Sequence, residues 1–271
     1  MKQDVPALAE IIDREHIDIL HAHMENAHLL AALARRRSTR KPALVVSHYN
    51  VEGPKRSLRT TILHRKATDA CILITNQARR NTLSRFPIPP ACAEIIGPGI
   101  DLDRFDPGRT VEEAFPRSIP EQAFVIGMVT RIRSDRRVDL AISALELLKD
   151  RNPHVHLLIV GHGEEEEALR GQVKRAGIED RVTWAGYCRG DQLVLAYRAM
   201  DLLFYPIPGT DQSCRTVREA MAAGVPVLAS RTGFLTSLVE EEKTGYFTSL
   251  NAEDLADKLD ALVTDLSLIH I

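Results

Sequence analysis

The chain has 271 residues, 44% hydrophobic and 27% charged, with a net charge of −2. That is ordinary globular composition, with length for one large domain or two ordinary ones. The charge balance offers nothing to nucleic acid, and no apolar run reaches the roughly 18 residues that would span a bilayer.

The first residues, MKQDVPALAE, lack the apolar core of a signal peptide. Cys71, Cys92, Cys188 and Cys214 are scattered and form no CxxC pair. They read as reduced thiols of a cytoplasmic protein rather than as a disulfide framework.

In chain order, apolar runs fall at 17–23, 43–48, 70–75, 93–97, 123–130, 155–161, 181–186, 201–206 and 225–230. Helical patterns separate them at 5–15, 25–37, 57–67, 76–85, 138–150, 164–176, 190–200, 214–223 and 252–264. Strands alternating with helices predict βαβ units, hence an α/β fold of parallel sheets covered on both faces. Many of the runs are apolar throughout rather than alternating, as burial on both faces requires.

One stretch breaks the rhythm. DLDRFDPGRTVEEAFPRSIPEQ (101–122) holds three prolines, mixed charge and little periodicity, which is linker composition. It divides the chain into a first Rossmann-like domain at 1–110, a linker at 111–122 and a second such domain at 123–271. The chain opens on a helix, where a doubly wound domain opens on a strand, and closes on the apolar LSLIHI. Both features predict truncation at the N-terminus and a cut or non-native C-terminus.

Four constellations carry chemistry. In GTDQSCRTVREAMAAGVPVLAS (209–230), a loop leads to a helix whose first turn holds Ser213, Cys214, Arg215 and Thr216. Free amides at such a helix start bind anions. Asp211 stands at the loop mouth and Glu219 about two turns along the helix. A carboxylate accepts paired hydrogen bonds from sugar hydroxyls. The same spacing also fits an acid complementing the helix dipole and an exposed helical glutamate.

VTRIRSDRRVDL (129–140) brings Arg131, Arg133, Arg136 and Arg137 to the tip of a strand. Arginine is a permanent, bidentate phosphate ligand, so the cluster reads as a diphosphate clamp. A solvated basic face would account for two of the four. In LIVGHGEEEEAL (158–169), Gly161 and Gly163 flank a strand-to-helix turn and permit close backbone approach. Finally, SHYN (47–50) puts His48 at a strand's C-terminal tip, facing an interdomain cleft or simply hydrogen-bonded there. His21 and His23 share one strand face, and a cleft-lining or structural role suits them better than metal binding.

Taken together, DILHAH (18–23), VVSHYN (45–50), IIGPGIDLDRFDP (95–107), IGMVTRIRSDRRVDLAISAL (126–145), LIVGHGEEEEAL (158–169), VTWAGY (182–187) and DQSCRTVREAMAAGVPVLAS (211–230) resemble glycosyltransferase family 4 over nearly the whole chain. The resemblance implies a GT-B fold, two Rossmann-like domains facing a cleft, here with the first incomplete. It implies a retaining transferase that moves a sugar from a UDP-, GDP- or ADP-sugar to a hydroxyl on a glycan or lipid-linked acceptor. Cell-surface polysaccharide or lipopolysaccharide synthesis at the inner face of a membrane would be the setting, with peripheral membrane contact.

By the same resemblance Glu219 holds the nucleotide ribose and Asp211 the donor sugar. Gln212, Ser213, Cys214, Arg215 and Thr216 lie along the donor, beside Gly161 and Gly163. Arg131 and Arg136 clamp the diphosphate, and His48 lies near the reacting sugar. Asp211 stands where the family usually has Glu, and Arg136 where it has Lys. The later Gly-Gly-x-Pro-Glu loop is reduced to GFLTS (233–237). No cofactor and no metal are expected. A GT-B sugar-nucleotide epimerase and a nucleotide-binding chain without turnover remain the alternatives.

Overall fold

The computed structural model describes residues 3–50, 52–111, 115, 119–207 and 214–264. The chain divides into two units, Met1–Pro98 and Gly99–Ile271. Composition carries the first domain to residue 110, whereas residues 99–110 belong to the second unit in the structure. The cause is local. Phe105 is buried and packs edge-on against Tyr197 at 5.8 Å. Arg109 grips the Asp191 carboxylate through two bonds of 2.9 and 3.0 Å.

The first unit runs α1 (Asp4–Arg14), β1 (Ile19–His23), α2 (Glu25–Arg37), β2 (Ala43–His48), α3 (Leu58–Lys66), β3 (Ala70–Leu73), α4 (Asn76–Arg85) and β4 (Ala93–Ile95). Its strands form a parallel sheet in chain order, β1-β2-β3-β4. Two of the helices, α3 and α4, start where the sequence supplies a cap. Ser57 accepts from the Thr60 amide while Thr60 returns a bond to the Ser57 amide, closing a capping box for α3. Thr75 accepts from the Ala78 amide and starts α4. Leu44, Val46, Cys71, Leu73 and Ala93 fill the core between these elements.

The second unit continues with α5 (Leu102–Phe105), β5 (Phe124–Val129), α6 (Val138–Leu147), β6 (Val155–Val160), α7 (Glu166–Ala176), β7 (Val182–Gly186) and α8 (Asp191–Arg198). It closes with β8 (Leu202–Tyr205), α9 (Arg215–Ala222), β9 (Val227–Ser230), α10 (Leu235–Leu238), β10 (Gly245–Thr248) and α11 (Ala252–Thr264). The six strands are parallel in the order β10-β9-β8-β5-β6-β7.

One sheet face sets Ile126, Met128, Leu157, Ile159 and Phe204 against the apolar stripes of α6, α7 and α11. Every residue of β6 is buried, which explains the unbroken apolar run VHLLIV. Each large side chain so removed from water contributes about 1.5–3 kcal/mol. Among the described residues, no helix is long and apolar enough to cross a membrane. The four cysteines form no disulfide.

Candidate functional site

The strand order of the second unit reverses between β5 and β8. From β5 the chain moves outward through β6 and β7, then returns to β8 and moves the other way. Ligands of open α/β sheets collect at such a point, outside the carboxyl ends of the strands. A cavity of about 320 Å³ lies there, lined by Val129, Thr130, Arg131, Arg133, Arg136, Tyr205 and Thr216.

The four arginines of the β5 loop separate by partner. Arg133 pairs with Asp135 at 3.2 Å and faces Glu164 at 3.9 Å. Arg137 pairs with Asp139 at 3.2 Å and occupies a left-handed backbone position ahead of α6. Arg131 is exposed and makes no ion pair among the described residues. It lines the cavity with Arg136. The loop is anchored by Ile132, wholly buried, whose amide donates to the His162 carbonyl at 3.2 Å.

Gly161 and Gly163 hold that loop in place. A Cβ on Gly161 would run into the Thr130 carbonyl oxygen, and one on Gly163 into that of Ile132. Gly161 also sits at φ +131°, a conformation that L side chains rarely adopt. The close approach these glycines permit is therefore between two segments of the chain's own backbone.

Helix α9 brings Thr216 to the cavity, its hydroxyl 3.3 Å from the Val129 carbonyl. Cys214, buried and left-handed at φ 48°, starts the helix. Glu219 is not the exposed helical acid that its spacing also allowed. It is only 4% exposed, with the Tyr197 phenol donating to Oε2 at 2.8 Å and Arg215 Nε to Oε1 at 2.9 Å. A carboxylate offers about four lone-pair sites, and among the described residues two of them are taken. Burial, reinforced by the Glu219 charge, raises the Tyr197 phenol well above its usual range and keeps it a donor. Asp211, Gln212 and Ser213 lie outside the described residues.

In the first unit, His48 lines a cavity of about 240 Å³ with His21, His23, Ser47 and Tyr49. His21 and His23 share a strand face, as their spacing predicts, and each turns to a hydroxyl. His21 Nε2 is 2.8 Å from Ser47 Oγ, and His23 Nδ1 is 2.7 Å from Tyr49 Oη. The Nε2 atom of His48 is buried and has no hydrogen-bond partner among the described residues. Burial draws its imidazole down to about 4.

Sequence reasoning misses Tyr197, Tyr205 and Thr130. A tyrosine on the inward face of α8 was the available signal for Tyr197, since a buried phenol requires a partner. GFLTS runs into α10 and supplies its first three residues, with Phe234 buried under Arg218 at 5.3 Å.

Residues 110–268 match the family described as glycosyl transferases group 1, and residues 1–104 match glycosyltransferase family 4. The chain is 31% identical to a D-inositol 3-phosphate glycosyltransferase of Corynebacterium jeikeium, over 73% of this chain and 49% of that protein. It is 29% identical to a GDP-mannose-dependent alpha-(1-6)-phosphatidylinositol monomannoside mannosyltransferase of Mycobacterium tuberculosis, over 73% of this chain and 53% of the relative. The chain thus spans about half the length of these curated relatives. Among solved structures, Anabaena HepE in complex with UDP and glucose superposes with a TM-score of 0.74 at 20% identity, covering 97% of this chain and 73% of that one. The two parallel-sheet units place the chain in the GT-B fold class. With both its units matched in this way, the chain belongs to the glycosyl transferases group 1 family.

Proposed function

We propose that the chain carries the donor-binding part of a retaining glycosyltransferase, which moves a sugar from a nucleoside-diphosphate sugar to a hydroxyl acceptor. The observation that carries this reading is the cavity between β5 and β8, where Arg131, Arg133 and Arg136 meet the helix that bears the buried Glu219. Two adjoining phosphates need fixed positive charge, and arginine supplies it at any working pH. The amides at the start of α9 add dipole and donors on the same side.

In the proposed step, an acceptor hydroxyl oxygen forms a bond to the anomeric carbon on the face the diphosphate leaves. The bond from that carbon to the diphosphate oxygen breaks, and its electron pair departs on the phosphate. The acceptor proton passes to the leaving diphosphate. Arg131 and Arg136 stabilise the charge that grows there, an electrostatic contribution made by groups already in position. Glu219 accepts from the ribose hydroxyls. Asp211 takes the donor sugar.

The relatives support the donor class by their names: one uses GDP-mannose, and the solved neighbour holds UDP. Synthesis of a cell-surface glycan or glycolipid follows as the proposed setting. The test is to incubate the chain with UDP-, GDP- and ADP-sugars and hydroxyl acceptors, and to read the anomeric configuration of the product by NMR. A product that keeps the donor's configuration supports the reading, and an inverted product overturns retention.

A further inference from the structure

Away from the arginine cavity, the first unit buries a cluster of metal-ligating side chains from three separate elements. His48 ends β2, His64 lies in the last turn of α3, and Cys71 sits in β3. All three are buried, and one ligand atom from each falls within 4.8 Å of the others. His64 Nδ1 and Cys71 Sγ are hydrogen-bonded at 3.6 Å, a bond that a shared cation would replace.

That separation is informative. A tetrahedral zinc ion with Zn–N of about 2.05 Å and Zn–S of about 2.3 Å holds its nitrogen and sulfur ligands about 3.6 Å apart. Two of the three ligands already stand at a tetrahedral edge. His48 contributes the third ligand atom, within 4.8 Å of the other two.

The second observation is independent of spacing. His48 Nε2 is buried without a hydrogen-bond partner among the described residues. Buried polar atoms in folded proteins almost always find one. His48 is only 5% exposed, which leaves Nε2 little access to bulk water. A cation beside Nε2 would satisfy the lone pair that no described protein group engages.

We infer that His48, His64 and Cys71 form a structural site for a divalent cation of the zinc class, binding through His48 Nε2, His64 Nδ1 and Cys71 Sγ. Two imidazoles and one thiolate select a borderline-soft ion over magnesium or calcium. A neutral imidazole carries the lone pair that such a bond needs. On binding, Cys71 loses its proton to solvent and the sulfur–metal bond forms. No redox change is involved. A water from the adjoining cavity that His48 lines fills the fourth position. His28 backs the site, its ring 5.1 Å from that of His64 and its Nε2 held by Thr68 Oγ1 at 2.8 Å. The ion would pin α3 to β2 and β3.

Cobalt(II) added to the metal-stripped full chain tests this. One equivalent is expected to give a thiolate-to-cobalt charge-transfer band that one equivalent of zinc bleaches. Zinc is expected to slow amide exchange in α3 and β2. Cys71→Ser is expected to abolish the band, while Cys92→Ser and Cys214→Ser keep it. His48→Gln is expected to weaken zinc binding by at least roughly tenfold. The inference is overturned if the unaltered chain shows no band at one equivalent, or if the band survives in folded Cys71→Ser. Should Cys71→Ser not fold, unchanged zinc affinity in His48→Gln overturns it equally.

Discussion

Tyr197 and Glu219, 22 positions apart, meet inside the second unit through a 2.8 Å hydrogen bond from the phenol to the carboxylate. Both side chains are buried. The contact fixes the orientation of the acid proposed to hold the ribose, because the other oxygen is turned to Arg215. Tyr197→Phe removes one donor from a buried carboxylate and leaves the shape unchanged. The expected cost is about 1–3 kcal/mol of stability, read from the urea midpoint. Nucleotide affinity should fall with it, because Glu219 loses its fixed orientation.

Arg131 and Arg133 line the same cavity but differ in their partners. Arg133 is already shared with Asp135 and Glu164, whereas Arg131 has no carboxylate among the described residues. Arg131→Ala is therefore expected to weaken nucleoside diphosphate binding by about 1.5–3 kcal/mol, and Arg133→Ala by less. Calorimetric titration of the two variants ranks them. Equal losses would mean that local pairing does not govern which arginine binds.

Gly161 supports the arginine loop through backbone contact alone. Gly161→Ala places a methyl group against the Thr130 carbonyl at a positive φ. A loss of more than about 1 kcal/mol is expected, since both strain and overlap oppose the side chain. Thermal unfolding of the variant measures it.

Much of this was legible in the sequence, and the residues explain what was not. The strand Ala43–His48 and the helices Glu25–Arg37, Asn76–Arg85 and Ala252–Thr264 match their sequence patterns at both ends. The Thr75 cap fixes where Asn76–Arg85 begins. The strand Gly245–Thr248 went unread because GYFT is four residues long and offers no periodicity. Short α5 hid in proline-rich composition, although Asp101 caps it through the Arg104 amide.

At the site, Arg131, Arg136 and Glu219 could be singled out because strand tips and helix starts can be located from pattern. The partnership of Glu219 with Tyr197 could not, since nothing in a local pattern joins α8 to α9. His64 was hidden for the same reason: in sequence it is one member of a His-Arg-Lys triplet, and only the fold brings it to Cys71.

Asp13 gives the first unit a pH dependence of known sign. Its carboxylate accepts from the Ser38 hydroxyl at 2.7 Å, the Thr39 amide at 3.0 Å and the Arg40 amide at 3.2 Å. The Ser38 bond leads in holding the carboxyl down at about 2, against an ordinary 3.8. A depressed folded value means that the unfolded chain binds the proton more readily. The contribution is complete above pH 3.8 and is lost as pH falls toward 2. Acid titration of the unit's amide exchange should show this loss, and Asp13→Asn should remove it. An unchanged acid profile in Asp13→Asn would show that these bonds do not couple to folding.

The central claim is that the second unit binds a nucleoside diphosphate through its arginine loop and Glu219. Calorimetric titration of the chain with UDP, GDP and ADP, repeated on Glu219→Ala, tests it most directly. The account predicts that one of the three binds at one per chain, and that a folded Glu219→Ala binds it at least about tenfold more weakly. Undiminished binding by the variant, or no binding of any of the three by the folded chain, would contradict it.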